Sequence, residues 1–196
     1  MPRLRSAVVP VASFALGALT SYAQGLLPGA LAPLANSVSG WTLVTVVLVA
    51  WARPRVGAAA VLGAASFVLL VAGYTAASHV RGLTYDPTRF GVVGLVAGPL
   101  VGVAAVWLRA DGVRAGLATA LLAGIGLGEA VYGLTTVADT TGVGYWAAIG
   151  VAALVLAAGM LARRLRGAVP VVLGTAGTAL VAGVFVLAYR AFGALG

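Results

Sequence analysis

Charge in this chain of 196 residues falls almost entirely at short breaks between seven apolar runs, and that restricts the fold more than any other feature. The runs cover roughly 7–24, 40–53, 57–79, 91–108, 115–136, 145–162 and 168–189. Most approach the ~20 residues that a helix needs to cross a bilayer. Twelve Arg, no Lys and four acids make up 8% of the residues, and 62% are hydrophobic; an ordinary soluble domain is about a quarter charged. So few charges cannot cover a globule of this size in water. The expected solvent is lipid, and the expected class is all-α: a polytopic membrane helical bundle in one integral domain over 1–196. A cytosolic enzyme and a nucleic-acid-binding module are excluded. Without Cys, so are a disulfide-stapled secreted domain, thiol catalysis and thiolate metal sites.

The arginines orient the bundle. If the N-terminus is inside and all seven runs cross, nine arginines (Arg3, Arg5, Arg53, Arg55, Arg109, Arg114, Arg163, Arg164 and Arg166) lie inside. Arg81, Arg89 and Arg190 lie outside, which is the bias that short cytoplasmic loops carry. The second run is the short one. It spans only if the neutral stretch from Leu34 to Gly40 continues as helix; otherwise 25–52 forms a re-entrant element, tolerated at membrane depth only where protein or water satisfies its backbone. Without that crossing, seven arginines lie on one side and five on the other, so the seven-helix reading is preferred, with the N-terminus in and the C-terminus out. The expected location is the inner (cytoplasmic) membrane. Ser21-Tyr22-Ala23 before Gln24 resembles a signal cleavage site, but the long first run reads better as a retained span.

Val47 to Arg53 matches Ala104 to Arg109 in pattern, and Met160 to Arg164 follows the same plan without the Trp. The last six helices therefore read as three hairpins with tight inner turns. Lipid gives helices no hydrophobic reason to associate, so small residues must form the seams. Gly94, Gly98 and Gly102, then Ala120, Gly124 and Gly128, then Ser13, Gly17 and Ser21 each fall on one helix face. These ladders predict three tight seams, with the fourth and fifth spans as the closest pair. A homodimer seam is the competing use.

Only four acids are present. Asp111 reads as a solvated turn residue, Asp139 as a helix end, and Asp86 as the N-cap of the fourth helix with Pro87 at its first position. Glu129 differs, because it lies inside the fifth span, ~6 Å outward of its middle. A carboxylate at that depth costs ~2.5 kcal/mol or more and needs a partner or a water-filled cavity. It reads as a ligand anchor, an ion or proton site, or an acid catalyst; the structural alternative is a pair with Arg81, Arg89 or a tyrosine. Polar and aromatic residues crowd the outer half, including Asn36, Trp41, His79, Tyr85, Asp86, Arg89, Tyr132, Tyr145 and Trp146. The expected ligand-binding set is Glu129, Tyr132, Asn36, Trp41, Asp86 and Arg89. For Trp41, Tyr145 and Trp146 taken singly, an interfacial aromatic belt is the better explanation of the position. No spacing suits a metal, and no cofactor is implied.

The leading functional expectation is a membrane protein that binds a small ligand from the outer side, as a transporter or a transporter's subunit. The alternatives are an intramembrane enzyme of isoprenoid-cyclase type, with Glu129 as the acid, and a scaffold without ligand. The expected partners are the bilayer, a small molecule, and a second membrane protein or a second copy of the chain, with no nucleic acid. Leu34-Ala-Asn-Ser-Val-Ser-Gly-Trp41, Gly73-Tyr74, Ala97 to Gly102 and Gly128-Glu129 together resemble a family of small multipass proteins from actinobacteria with no assigned function. That resemblance implies an integral membrane protein and no particular activity. Size, outer loops and the small-residue first helix are more loosely similar to the substrate-binding subunits of energy-coupling-factor vitamin transporters, which have six spans.

Overall fold

Each apolar run becomes a helix and each break a turn in the computed structural model, which describes residues 2–194. The helices are α1 (Pro2–Leu26), α2 (Val38–Ala52), α3 (Val56–Val80), α4 (Thr88–Trp107), α5 (Val113–Tyr132), the short α6 (Ala138–Thr141), α7 (Gly144–Arg163) and α8 (Ala168–Ala194). A 3-10 turn over Ala32–Asn36 precedes α2, and a π-helical turn over Gly133–Val137 joins α5 to α6. No strand occurs among the described residues.

Local chemistry sets the ends. The Ser37 hydroxyl accepts the Gly40 amide at 2.9 Å and starts α2, which closes on Arg53 in the left-handed region (φ 52°) just before Pro54. The Asp86 carboxylate accepts the Thr88 amide at 2.9 Å at the start of α4, as expected of a cap, but Pro87 lies just before the helix and not at its first position. Pro99 inside α4 is tolerated because unpaired backbone in hydrocarbon leaves the helix little competition.

Six stretches are long and apolar enough to cross a membrane: α1, α3, α4, α5 continued through α6, α7 and α8. With 15 residues, ~22 Å, α2 is shorter.

The helices gather into two compact units, Met1–Val106 and Trp107–Gly196. In the first, α1 lies along α3 and α2 covers both. Its contacts are unusually close: a methyl on Gly17 would overlap the Leu70 carbonyl, one on Gly73 the Phe14 carbonyl, and one on Gly63 the Gly98 carbonyl. Buried hydroxyls stitch the same surfaces. Ser13 donates to the Val9 carbonyl and shares a 2.8 Å hydrogen bond with Ser66, which shares another of 3.1 Å with Thr45 of α2. Ser21 and Ser78 pair at 3.0 Å. At one end the Arg5 guanidinium lies 5.4 Å over the Trp51 ring; at the other, the Tyr74 hydroxyl donates to Gln24 at 2.8 Å and Trp41 packs on Tyr74. The last turn of α2 therefore lies beside the first turns of α1.

In the second unit α5 is central, with α8 and α7 packed on it. The turn after α4 meets the turn after α7: the Gly112 amide donates to the Arg164 carbonyl at 3.1 Å, and Asp111 pairs with Arg164 at 3.2 Å in solvent.

Two packing expectations are corrected. The hairpin turns exist, but α7 and α8 pack on α5 far more than on each other. Nor do the ladders of the fourth and fifth spans make those spans a closest pair: Gly94, Gly98 and Gly102 face α3, whereas Gly124 and Gly128 face α8.

Candidate functional site

Small residues let α5 touch two helices along two rows. Gly116, Gly124 and Gly128 meet Pro170, Val181 and Phe185 of α8, while Gly126 and Gly133 meet Ala153 and Trp146 of α7. At ~100° per residue, Glu129 falls between those rows. Its side chain is 4% exposed, whereas Asp86, Asp111 and Asp139 are all exposed. The carboxylate of Glu129 is thus the single buried acid among the described residues.

One turn further, α5 changes form. Gly133–Val137 is π-helical, a geometry that takes one extra residue per turn and often occurs at functional sites. A side chain on Gly133 would overlap the Trp146 indole. That indole donates to the Thr141 hydroxyl at 2.8 Å, and Thr141 donates to the Val137 carbonyl, also at 2.8 Å. Thr135 donates to the Val131 carbonyl at 2.7 Å, so hydroxyls serve carbonyls at both ends of the π turn. Aromatic rings surround the region: Tyr145 lies edge-on to Trp146 at 4.9 Å and Tyr132 to Tyr189 at 5.2 Å.

The first unit holds a second aromatic cluster at the end of α3. Trp41 contacts Tyr74 at 5.8 Å and Phe90 at 6.5 Å, and Tyr74 contacts Tyr85 at 4.8 Å. The buried hydroxyls of Thr42 and Tyr85 have no hydrogen-bond partner there. Burial, then the neighbouring Tyr74 and Asp86, push the Tyr85 phenol up to about 12. Hydrogen bonds from Thr88, with a contribution from Arg89, hold the Asp86 carboxyl below the usual aspartate value. On the flank of α3 and α4, a groove of about 480 Å³ is lined by Val68, Val71, Ala72, Thr75, Ala76, Pro87, Thr88 and Gly91, none of them ionisable.

The model of a family of unknown function, DUF6518, matches residues 1–194. The chain belongs to the DUF6518 family. No curated protein and no solved structure matches it. This DUF6518 member is a multipass helical membrane protein.

The six residues expected to bind ligand divide between the two units of the DUF6518 chain. Glu129 and Tyr132 share the C-terminal end of α5, with Glu129 buried and Tyr132 half-buried on Tyr189. Trp41 is buried in the first unit, and its indole donates to the Ala35 carbonyl at 3.2 Å, so it is a packed residue and no exposed belt member. Asn36, Asp86 and Arg89 are exposed residues of that unit. Sequence reasoning did not single out Gln24, Thr42, Tyr74 or Phe90 as parts of a cluster. It also missed the π turn, for which the only sequence hints are Gly133 and the threonines after it.

Proposed function

We propose that the protein crosses the inner membrane seven times, N-terminus in and C-terminus out, and binds a small ligand from the outer side at the Glu129 end of α5. It would serve as a transporter or as a transporter's binding subunit. The observation that carries this reading is the burial of Glu129 in a spanning helix, just before a π-helical turn and among aromatic rings. A carboxylate at membrane depth costs ~2.5–3.5 kcal/mol, and such residues commonly mark substrate or ion pathways. Aromatic walls with a few polar groups are the usual make-up of a small-molecule site.

Two observations support seven crossings. The nine-to-three arginine bias needs α2 to cross. The Arg5–Trp51 contact returns the end of α2 to the side where α1 begins, and the 3-10 turn at Ala32–Asn36 adds ~10 Å of helical rise before α2.

The test is mass spectrometry of small molecules retained by gently purified protein, wild type against Glu129→Gln. A compound retained by the wild type and lost at least tenfold in the variant supports the reading. Equal retention, or no retained compound in either, contradicts it.

A further inference from the structure

We infer that the π-helical turn Gly133–Val137 and Trp146 form a two-state latch over the Glu129 turn; this rests on the ligand reading above and supplies its access route. The closed state is the one described. The Trp146 indole occupies the space that a side chain at Gly133 would take, one turn from Glu129. Its N–H is held by Thr141, whose hydroxyl is held by the carbonyl of Val137, the last residue of the π turn. Next to it, Ala130, on the same turn as Glu129, is 3% exposed and faces Gly150 of α7. The start of α7 therefore covers this side of α5 and is fastened through a chain of two hydrogen bonds.

The fastening point can move. A π turn holds one residue more than an α turn, so its conversion to α, with α7 held by its packing on α5, rotates the short α6 by ~100° and shifts it by ~1.5 Å along the axis. Thr141 lies beyond the turn. Rotation carries its hydroxyl away from Trp146, and the indole then has neither its acceptor nor a reason to stay against Gly133. Threonine hydroxyls at both ends of the turn ease the exchange, because they serve carbonyls whose helical donors change between the two forms. An interfacial belt tryptophan would direct its N–H to water. Trp146 is 7% exposed, with that N–H committed to protein.

The chain has no Cys, so Ala130→Cys gives a single thiol. In membrane vesicles, its rate of modification by a small water-soluble methanethiosulfonate reads the opening of this face. Modification is expected to be slow in the otherwise native chain. Thr141→Val, which removes both hydrogen bonds, should speed it about tenfold or more. Trp146→Phe should act in the same direction, and Thr141→Ser should restore the slow rate. An unchanged rate in both Thr141→Val and Trp146→Phe, or fast modification that Thr141→Ser fails to reverse, overturns the latch. The readout uses no ligand, so it fails or succeeds independently of the small-molecule retention that tests the function.

Discussion

The seams of the first unit and those of the second both rely on glycine, but the glycines meet different things. In the first, Gly17, Gly63, Gly73, Gly98 and Gly102 lie against backbone atoms of the opposing helix; Gly94, beside the Phe67 side chain, is the exception. In the second, Gly124, Gly126, Gly128, Gly133 and Gly177 receive side chains first, from Val181, Ala153, Phe185, Trp146 and Ala120, with Gly116 against the Pro170 carbonyl as the exception. A backbone atom cannot be removed by substitution, whereas a side chain can. The first unit adds the Ser13–Ser66–Thr45 hydroxyls to its seam, whereas in the second Thr119 and Thr178 each donate to a carbonyl of their own helix, with one long bond of 3.5 Å from Thr178 to the Thr119 carbonyl between helices. A seam of backbone on backbone with polar stitching suits a fixed scaffold. One of knobs in notches suits helices that move.

The largest effect is expected where backbones touch. Gly102→Ala places a methyl into the Ala59 carbonyl and should destabilise by about 3 kcal/mol or more, read as lost folded protein or a strongly lowered melting midpoint. Gly124→Ala should cost about 1–3 kcal/mol. Adding Val181→Gly, which removes the β-carbon that the new methyl would meet, should recover part of that, a coupling of about 1 kcal/mol or more in a double-mutant cycle. If Gly102→Ala is as mild as Gly124→Ala, or if Val181→Gly gives no rescue, the distinction between the two seams fails.

The polar stitching should matter less. Ser66→Ala removes the hydrogen bonds to Ser13 and Thr45 and should lower stability by about 1–2 kcal/mol, since such bonds between membrane helices average ~0.6 and reach ~1.7 kcal/mol. Thr119→Val, at a buried hydroxyl that donates to the Ala115 carbonyl of its own helix, should change the midpoint by less than half as much. Equal losses would remove the contrast.

Smallest is the effect of alkali on the first unit's aromatic cluster. Tyr85 keeps its proton up to about 12 in the folded chain, above the ordinary tyrosine value of 10.0. The folded state thus holds the proton more tightly, and its contribution to stability is present below pH 10 and lost as pH rises toward 12. Ultraviolet titration should show one late-ionising tyrosine that Tyr85→Phe abolishes. A late phase that survives the substitution assigns it elsewhere.

Much of the fold was legible because solvent preference is written residue by residue. The arginine breaks, the capping of α4 by Asp86 and the long apolar helices follow from composition and local rules. Partner choice was not. An i, i+4 row of small residues states that a face is tight and leaves open which helix meets it, so Gly98 pointed to the wrong neighbour until Ala64 of α3 was found against it. The hairpin turns misled in the same way, because a short connection does not oblige α7 and α8 to pack together. At the candidate site, Glu129 stood out as an acid in an apolar run, and its burial agrees with that reading. Trp41 resembled a belt residue because aromatics near a helix start occur in both settings, and only its neighbours Tyr74 and Phe90 decide. The π turn is a matter of one extra residue in the backbone, at which Gly133 and the threonines after it hint without specifying it.

Ligand entry from outside requires Glu129 to lie in the outer half of the membrane, and that follows directly from the sidedness of the turns. Single cysteines at Thr84, Asp111 and Thr140, all exposed, can be challenged in intact cells with a membrane-impermeant maleimide. Labelling at Thr84 and Thr140, with protection at Asp111 until the cells are opened, is the expected result. Labelling at Asp111 with protection at Thr84 and Thr140 would place Glu129 toward the cytoplasm and contradict the outward-facing site.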